Sequence, residues 1–323
     1  MSGYIGAEPT NDNTANNGVF SIKDLNELRR DGNLKSATFS CDFVVVGAGG
    51  ASGSGTPAGG GGGGGVVSSV DNNGGGSSLE SALTLSPGVD YHVSIGAGAS
   101  GNTTVGGGTV FHTIRALGGG SGWDSNQAHE GASGGGGGHA FNYTNYGRSV
   151  IGSLNNRENF TGAASIQGYR GSQTSYESYT STGGGGGAGV NGSITNSGSN
   201  GVIVNIAAHG TADVGEVSGS NVYFGGGGGS STSTSNYTTG GTGGGGTGHT
   251  HSNNHGTANT GGGAGAKWNG GSGNGGSGTV VLRYPDHLTC TAGAGVTASA
   301  ENAESGSLKS IAITAGDGNV SFA

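Results

Sequence analysis

Clean alternation is scarce in this chain, which makes each instance informative. Val89, Tyr91, Val93 and Ile95 alternate with polar or acidic neighbours, predicting a half-buried strand over 89–95. Apolar-rich runs predict strands over 39–46 and 279–284, the second stopped by Pro285, with others over 109–117 and 201–206. Before residue 37 the period changes. Ile22, Leu25 and Leu28 share one helical face, Ser21 suits the N-cap, and Asp24 stands where a capping box has Glu. Phe20 and Leu25 occupy the staple positions, Arg29 and Arg30 suit the C-terminal dipole, and Gly32 ends the segment. A short amphipathic α-helix of about ten residues is predicted, too short to stand alone and therefore docked. Leu308, Ile311, Ile313, Val320 and Phe322 flank Gly316-Asp317-Gly318-Asn319, predicting a β-hairpin in a small C-terminal β-module.

Between these strands lie segments that no apolar pattern covers. All but nine of the 81 glycines fall between Gly47 and Gly278, in runs at 59–65, 134–138, 183–187 and 225–229. Such runs cannot be helix interiors, where each glycine costs about 1 kcal/mol against alanine, and they give a strand nothing to pack. With four prolines and no strict three-residue glycine period, the chain is not collagen. Two states remain: a disordered tract, or backbones packed so closely that only glycine fits. The framing strands favour the second. A polyglycine chain in the left-handed three-residue-per-turn helix has no internal hydrogen bonds, so its N–H and C=O groups must bond neighbouring chains. The fold class expected is therefore mainly β or irregular: stacked polyglycine-II helices framed by β-strands, with a short N-terminal α-helix and a small C-terminal β-module. The organisation expected is an attachment segment at 1–36, a glycine-rich body at 37–285 and the β-module at 286–323.

Composition narrows the role. Only 9% of residues are charged and the net charge is −8, which argues against nucleic-acid binding. No apolar stretch reaches the ~18 residues that span a bilayer, and the opening MSGYIGAEPTNDN has no signal-peptide pattern. Cys41 and Cys290 are the only cysteines, too few for a disulfide framework. Antiparallel first and last strands would bring them toward one end, and a bridge and two free thiols both stay open.

The opening FVVVGAGGASG and the closing GGSGTVVLRYP resemble the glycine-rich domain of phage tail-associated proteins. The design is similar to that of the receptor-binding tip adhesins of T-even-type long tail fibres. MSGYIGAEPTNDNTANNGVFS resembles the start of marine phage virion proteins. Over residues 1–285 the resemblance implies a polyglycine-II sandwich that binds a host receptor through loops at one end. The helix at 21–31 and the C-terminal module depart from the tip-adhesin pattern.

FVVVGAGGASG also imitates a dinucleotide-binding turn, but Pro57, Ala58 and seven glycines follow, so no helix can receive a pyrophosphate. Gly119-Gly120-Ser121-Gly122-Trp123-Asp124 starts a calcium nonapeptide repeat but occurs once, and one copy cannot stack. His249, His251 and His255 form the one histidine cluster; imidazoles at this spacing suit iron or zinc, and the plainer account is a polar loop that tolerates histidine. Asp124, His129 and Glu130 share a loop without a recognisable catalytic setting, so no enzyme is expected. The loops carry more. Tyr143, Tyr146, Tyr169, Tyr176 and Tyr179 lie within 139–182, Tyr237 within 230–260, and Trp123 in another such segment, all amid Ser, Asn and Gly. That mixture suits recognition, through broad aromatic contacts and adaptable hydrogen bonds, although tyrosines also plug gaps beside side-chain-free helices.

These readings lead us to expect a virion protein without a catalytic site or resident cofactor, a tail-fibre or tail-tip adhesin whose receptor contacts are Trp123, Tyr143, Tyr146, Tyr169, Tyr176, Tyr179 and Tyr237. A capsid decoration, knob or fibre protein without a receptor is the alternative. The partners expected are other virion proteins through residues 1–36, 286–323 or both, and a protein or glycan receptor on the host, with an oligomer of the chain left open. Nucleic acid and membrane insertion are not expected.

Overall fold

A computed structural model describes residues 38–54, 57–102, 104–123, 128–137, 166–172, 182–190, 196–206, 214–231, 238–248, 254–268 and 270–323. The strands are β1 (Phe39–Val46), β2 (Val66–Ser68), β3 (Leu83–Leu85), β4 (Tyr91–Ser94) and β5 (Thr109–Phe111). Next come β6 (Ile114–Ala116), β7 (Val202–Ile203), β8 (Glu216–Ser218), β9 (Asn221–Phe224) and β10 (Thr279–Pro285). The last four are β11 (Cys290–Ala292), β12 (Val296–Ala298), β13 (Asn302–Glu304) and the long β14 (Leu308–Phe322).

One eleven-stranded sheet has the spine β2-β1-β10-β14-β4-β5-β6, every pairing antiparallel, and its two ends approach each other so that the sheet nearly closes. A separate three-stranded sheet runs β7-β9-β8. The apolar run in β1 reflects burial on both faces. Phe39, Cys41, Phe43 and Val45 enter the core enclosed by the curved sheet, with Leu282, Tyr284, Phe111, Ile313 and Phe322. Val44 and Val46 face the other way, onto Val202, Ile206, Val222 and Phe224 around the small sheet.

The expected fold class is corrected on two points. The described residues are mainly β, as expected, but contain no α-helix, only the single 3-10 turn Gly74–Gly76; the segment expected to be helical, 21–31, lies outside the described residues. Nor do residues 286–323 form a module of their own. β14 lies inside the main sheet, bonded to β10 through 308–313 and to β4 through 317–320. Gly316-Asp317-Gly318-Asn319 is not a turn: β14 runs straight through it, with Gly316 at φ 106° where its pairing passes from β10 to β4. The reversal falls instead at Ser305-Gly306-Ser307, where Gly306 and Ser307 both have positive φ. Register explains the preference. Cys290↔Phe322, Val296↔Gly316 and Asn302↔Ser310 keep one alignment along a single long hairpin, broken only by a bulge at Thr297/Ala298.

The glycine runs stack on one another with a period of three. Gly59, Gly62 and Gly65 donate to the carbonyls of Trp123, Gly120 and Leu117; Gly60 and Gly63 to Gly183 and Gly186; Gly61 and Gly64 to Ala264 and Gly261. In return Gly53, Gly50 and Gly47 donate to Gly59, Gly62 and Gly65, Gly136 to Gly60, and Gly228 to Gly61. Run 59–65 is thus ringed by six neighbours, and each of its residues points a different way from the next two. Three residues per turn with every bond passing to another chain is the bonding of a polyglycine-II lattice. Glycine is obligatory in it: a Cβ on Gly61 would collide with Gly50 O, on Gly62 with Ser133 O, and on Gly63 with Gly225 O.

Candidate functional site

The stack has two unlike ends. At one, the runs continue directly into strands: Val46 leads into Gly47, Gly65 into Val66, Ala116 into Leu117 and Phe224 into Gly225. At the other, about 20 Å away at roughly 3.1 Å per residue, lie Gly53, Trp123, Gly137, Ser172, Thr182 and Ser231. Cross-bonds tie that end together: Gly137 N–H to Ser172 O at 3.1 Å, Gly183 N–H to Gly137 O at 2.7 Å, and Ser231 N–H to Ala58 O at 3.0 Å. Thr182 Oγ1 donates to Ser231 O at 2.6 Å, and Ser230 Oγ to Thr182 O at 2.9 Å. Beside them Thr238 and Gly248 form an isolated bridge, with Thr238 Oγ1 donating to Ser230 O. The segments 124–127, 173–181, 232–237 and 249–253 are therefore bracketed by residues at this far end. Segment 138–165 leaves from it at Gly137 and rejoins at Ile166, whose carbonyl accepts from Ser77 Oγ near the strands.

This geometry sorts the candidate contacts. Trp123 stands at the far end but is buried; its backbone bonds Gly136 and Gly59, and its indole N–H has no partner among the described residues. Tyr169 belongs to the strand end, bonded through its backbone to Gly187 and Gly134, with its hydroxyl beside Gly76. The two aromatics are not brought together. Tyr143, Tyr146, Tyr176, Tyr179 and Tyr237 lie outside the described residues, though their segments depart from the far end. His249 and His251 also lie outside them. His255 is exposed and spends Nδ1 accepting the Asn274 N–H at 2.9 Å. No group of three His, Cys, Asp or Glu suited to a metal occurs among the described residues, nor does a helix long and apolar enough to cross a membrane. Ser121 Oγ meets His129 Nδ1 at 2.8 Å, but Ser121 is fully buried inside the stack, where no substrate reaches it; the hydroxyl anchors the imidazole.

A well-connected polar group is one that sequence reasoning passed over. Glu301 accepts from Tyr284 Oη and the Cys290 N–H through Oε1 and from Lys309 Nζ through Oε2, each at 2.7 Å. Burial pushes its carboxyl up, but the bonds from Lys309, the Cys290 N–H and Tyr284 outweigh that and hold it below the usual carboxylate range. Burial, then the bond to Glu301, drives the Tyr284 phenol upward. Cys41 and Cys290 are free thiols buried in the same core; burial, with Glu301 adding, pushes Cys290 up to about 12. The signal available was a Glu pair, Glu301 and Glu304, in a stretch otherwise rich in Ala and Ser, with nothing to mark their partners.

A family model described as glycine-rich domain matches residues 33–285. The chain belongs to that family. The glycine-rich domain thus takes in β1 to β10 and the whole stack, and ends at the last residue of β10. No curated protein and no solved structure matches the chain.

Proposed function

We propose that this glycine-rich domain is a non-enzymatic structural protein of a phage virion, a tail-fibre or tail-tip adhesin whose loops bind a protein or glycan receptor on the host surface. One observation carries the reading: segments 124–127, 173–181, 232–237 and 249–253, rich in Tyr, Ser and Asn, are bracketed by residues at one end of the lattice, while residue 38 enters the sheet at the other, where β1 begins. A rigid spacer between an entry point and a variable face is what an adhesin needs, since loops on a fixed scaffold vary without disturbing it. Attachment to other virion proteins runs through residues 1–36 and the sheet end.

The test is adsorption of the purified chain to host cells. Alanine at Tyr143, Tyr176 or Tyr179 should weaken it about tenfold at the residue that anchors the receptor, without shifting the melting transition. Unchanged adsorption in all three would remove those loops from the contact. A chain that binds no cells but still incorporates into particles would be a decoration protein instead.

A further inference from the structure

The strand that completes the sheet lies beyond the segment that defines the family. β10 ends at Pro285, where the family match ends. Its next neighbour, β14, lays one edge along both strands in turn, on β10 through 308–313 and on β4 through 317–320. Without it both strands would present unpaired N–H and C=O groups along a buried lane, the condition that draws in another strand.

The body that fills the lane is bonded chiefly to itself. β11, β12 and β13 pair with β14 alone, in one register, so 290–322 is a single hairpin with one edge satisfied internally. Its outward backbone bonds run chiefly to β10 and β4, through 308–313 and 317–320, with the N–H groups of Gly88, Ile95 and Asp286 donating to Phe322, Gly316 and Ser307 beside them. Side chains deepen the seat: Phe322 is fully buried, its ring 5.0 Å from both Phe39 and Tyr284, and Ile311, Ile313 and Val320 enter the same core. Glu301 reaches across to Tyr284, and Glu304 lies 3.8 Å from Arg283. Asp286 and His287 make the joining turn, and both are exposed.

We infer that the hairpin 290–322 is a transferable plug, and that the lane formed along the edges of β10 and β4 in one copy accepts the hairpin of a second copy of this chain. The exchanged and unexchanged forms share the bonds to β10 and β4 and the core contacts of 290–322, and differ in the turn at 286–289, where exchange puts at stake buried Leu288 and the bond from the Asp286 N–H to Ser307 O. Strand addition of this kind supplies affinity through main-chain bonds and register through alternate side chains, here Ile311, Ile313, Val320 and Phe322. The inference is independent of the adhesin reading.

The test uses the full chain with a protease site inserted between Asp286 and His287, folded first and then cut. One preparation carries a dye on the hairpin through Ser305→Cys, an exposed turn position that reacts while the buried native thiols stay silent. The cut hairpin should co-elute with its body, and after brief mild urea and dilution the dye should appear on the unlabelled copy, distinguished by a mass tag. A Phe322→Ala hairpin should transfer about a hundredfold less well. The uncut chain, refolded at high concentration, should yield species of twice the mass or more. Loss of the sheet on cutting, or a hairpin that stays bound yet never transfers, would overturn the proposal.

Discussion

The sheet and the glycine stack meet the same demand, a dry interior with every backbone group bonded, by opposite means. In the sheet, ladders satisfy the backbone and side chains such as Phe43, Phe111, Leu282 and Phe322 fill the space between. In the stack few side chains intervene, and at most of its glycines a carbonyl oxygen lies where a Cβ would stand. One region is made by what its side chains add, the other by what they leave out. Their tolerances should therefore be inverted: the sheet suffers when atoms are removed, the stack when any are added.

The sharpest break of that comparison is Gly62→Ala. One methyl group driven into Ser133 O at the centre of the lattice should cost about 3 kcal/mol or more, seen as a collapsed urea midpoint; a near-neutral result would mean that the runs are not locked. Phe322→Ala removes atoms instead, and at a fully buried site should cost about 3–5 kcal/mol, measured the same way. Glu301→Gln should cost about 2 kcal/mol near neutral pH through its charge-assisted bonds. Because the folded-state pKa of Glu301 lies below the ordinary carboxylate value, that stability is present above the ordinary value. It is lost as pH falls through the folded one. The gap between the wild type and Glu301→Gln in thermal melts should thus close below about pH 4. The mildest test changes no residue: Cys41 and Cys290 should resist iodoacetamide at pH 8 until the chain unfolds, since only the thiolate reacts.

What could be read in the sequence was whatever local chemistry decides. The strands over 39–46 and 279–284 are there almost residue for residue as Phe39–Val46 and Thr279–Pro285, because they are long, apolar and buried on both faces. The single strand expected over 109–117 is two, Thr109–Phe111 and Ile114–Ala116, reversing at His112 with φ 50°; a histidine in the left-handed region leaves no compositional mark. Gly-Asp-Gly-Asn promises a turn more strongly than Ser-Gly-Ser, yet the chain turns at the latter. The lane beside β10 and the register to Phe322 override local preference. Of the candidate contacts, the segments were legible as aromatic and polar. The burial of Trp123 and the opposite placement of Tyr169 depend on which run stacks on which, and identical glycine runs cannot specify that.

The lattice also bears on how the protein meets cold. Unfolding a side-chain core exposes apolar surface and raises the heat capacity, whereas exposing peptide groups lowers it. A protein in which much of the interior is bare backbone should have a small heat-capacity change per residue, and a stability curve that is broad and shallow. The stack would then hold its loops in place over a wider span of temperature than an oily core of equal size, and calorimetry would read that breadth directly.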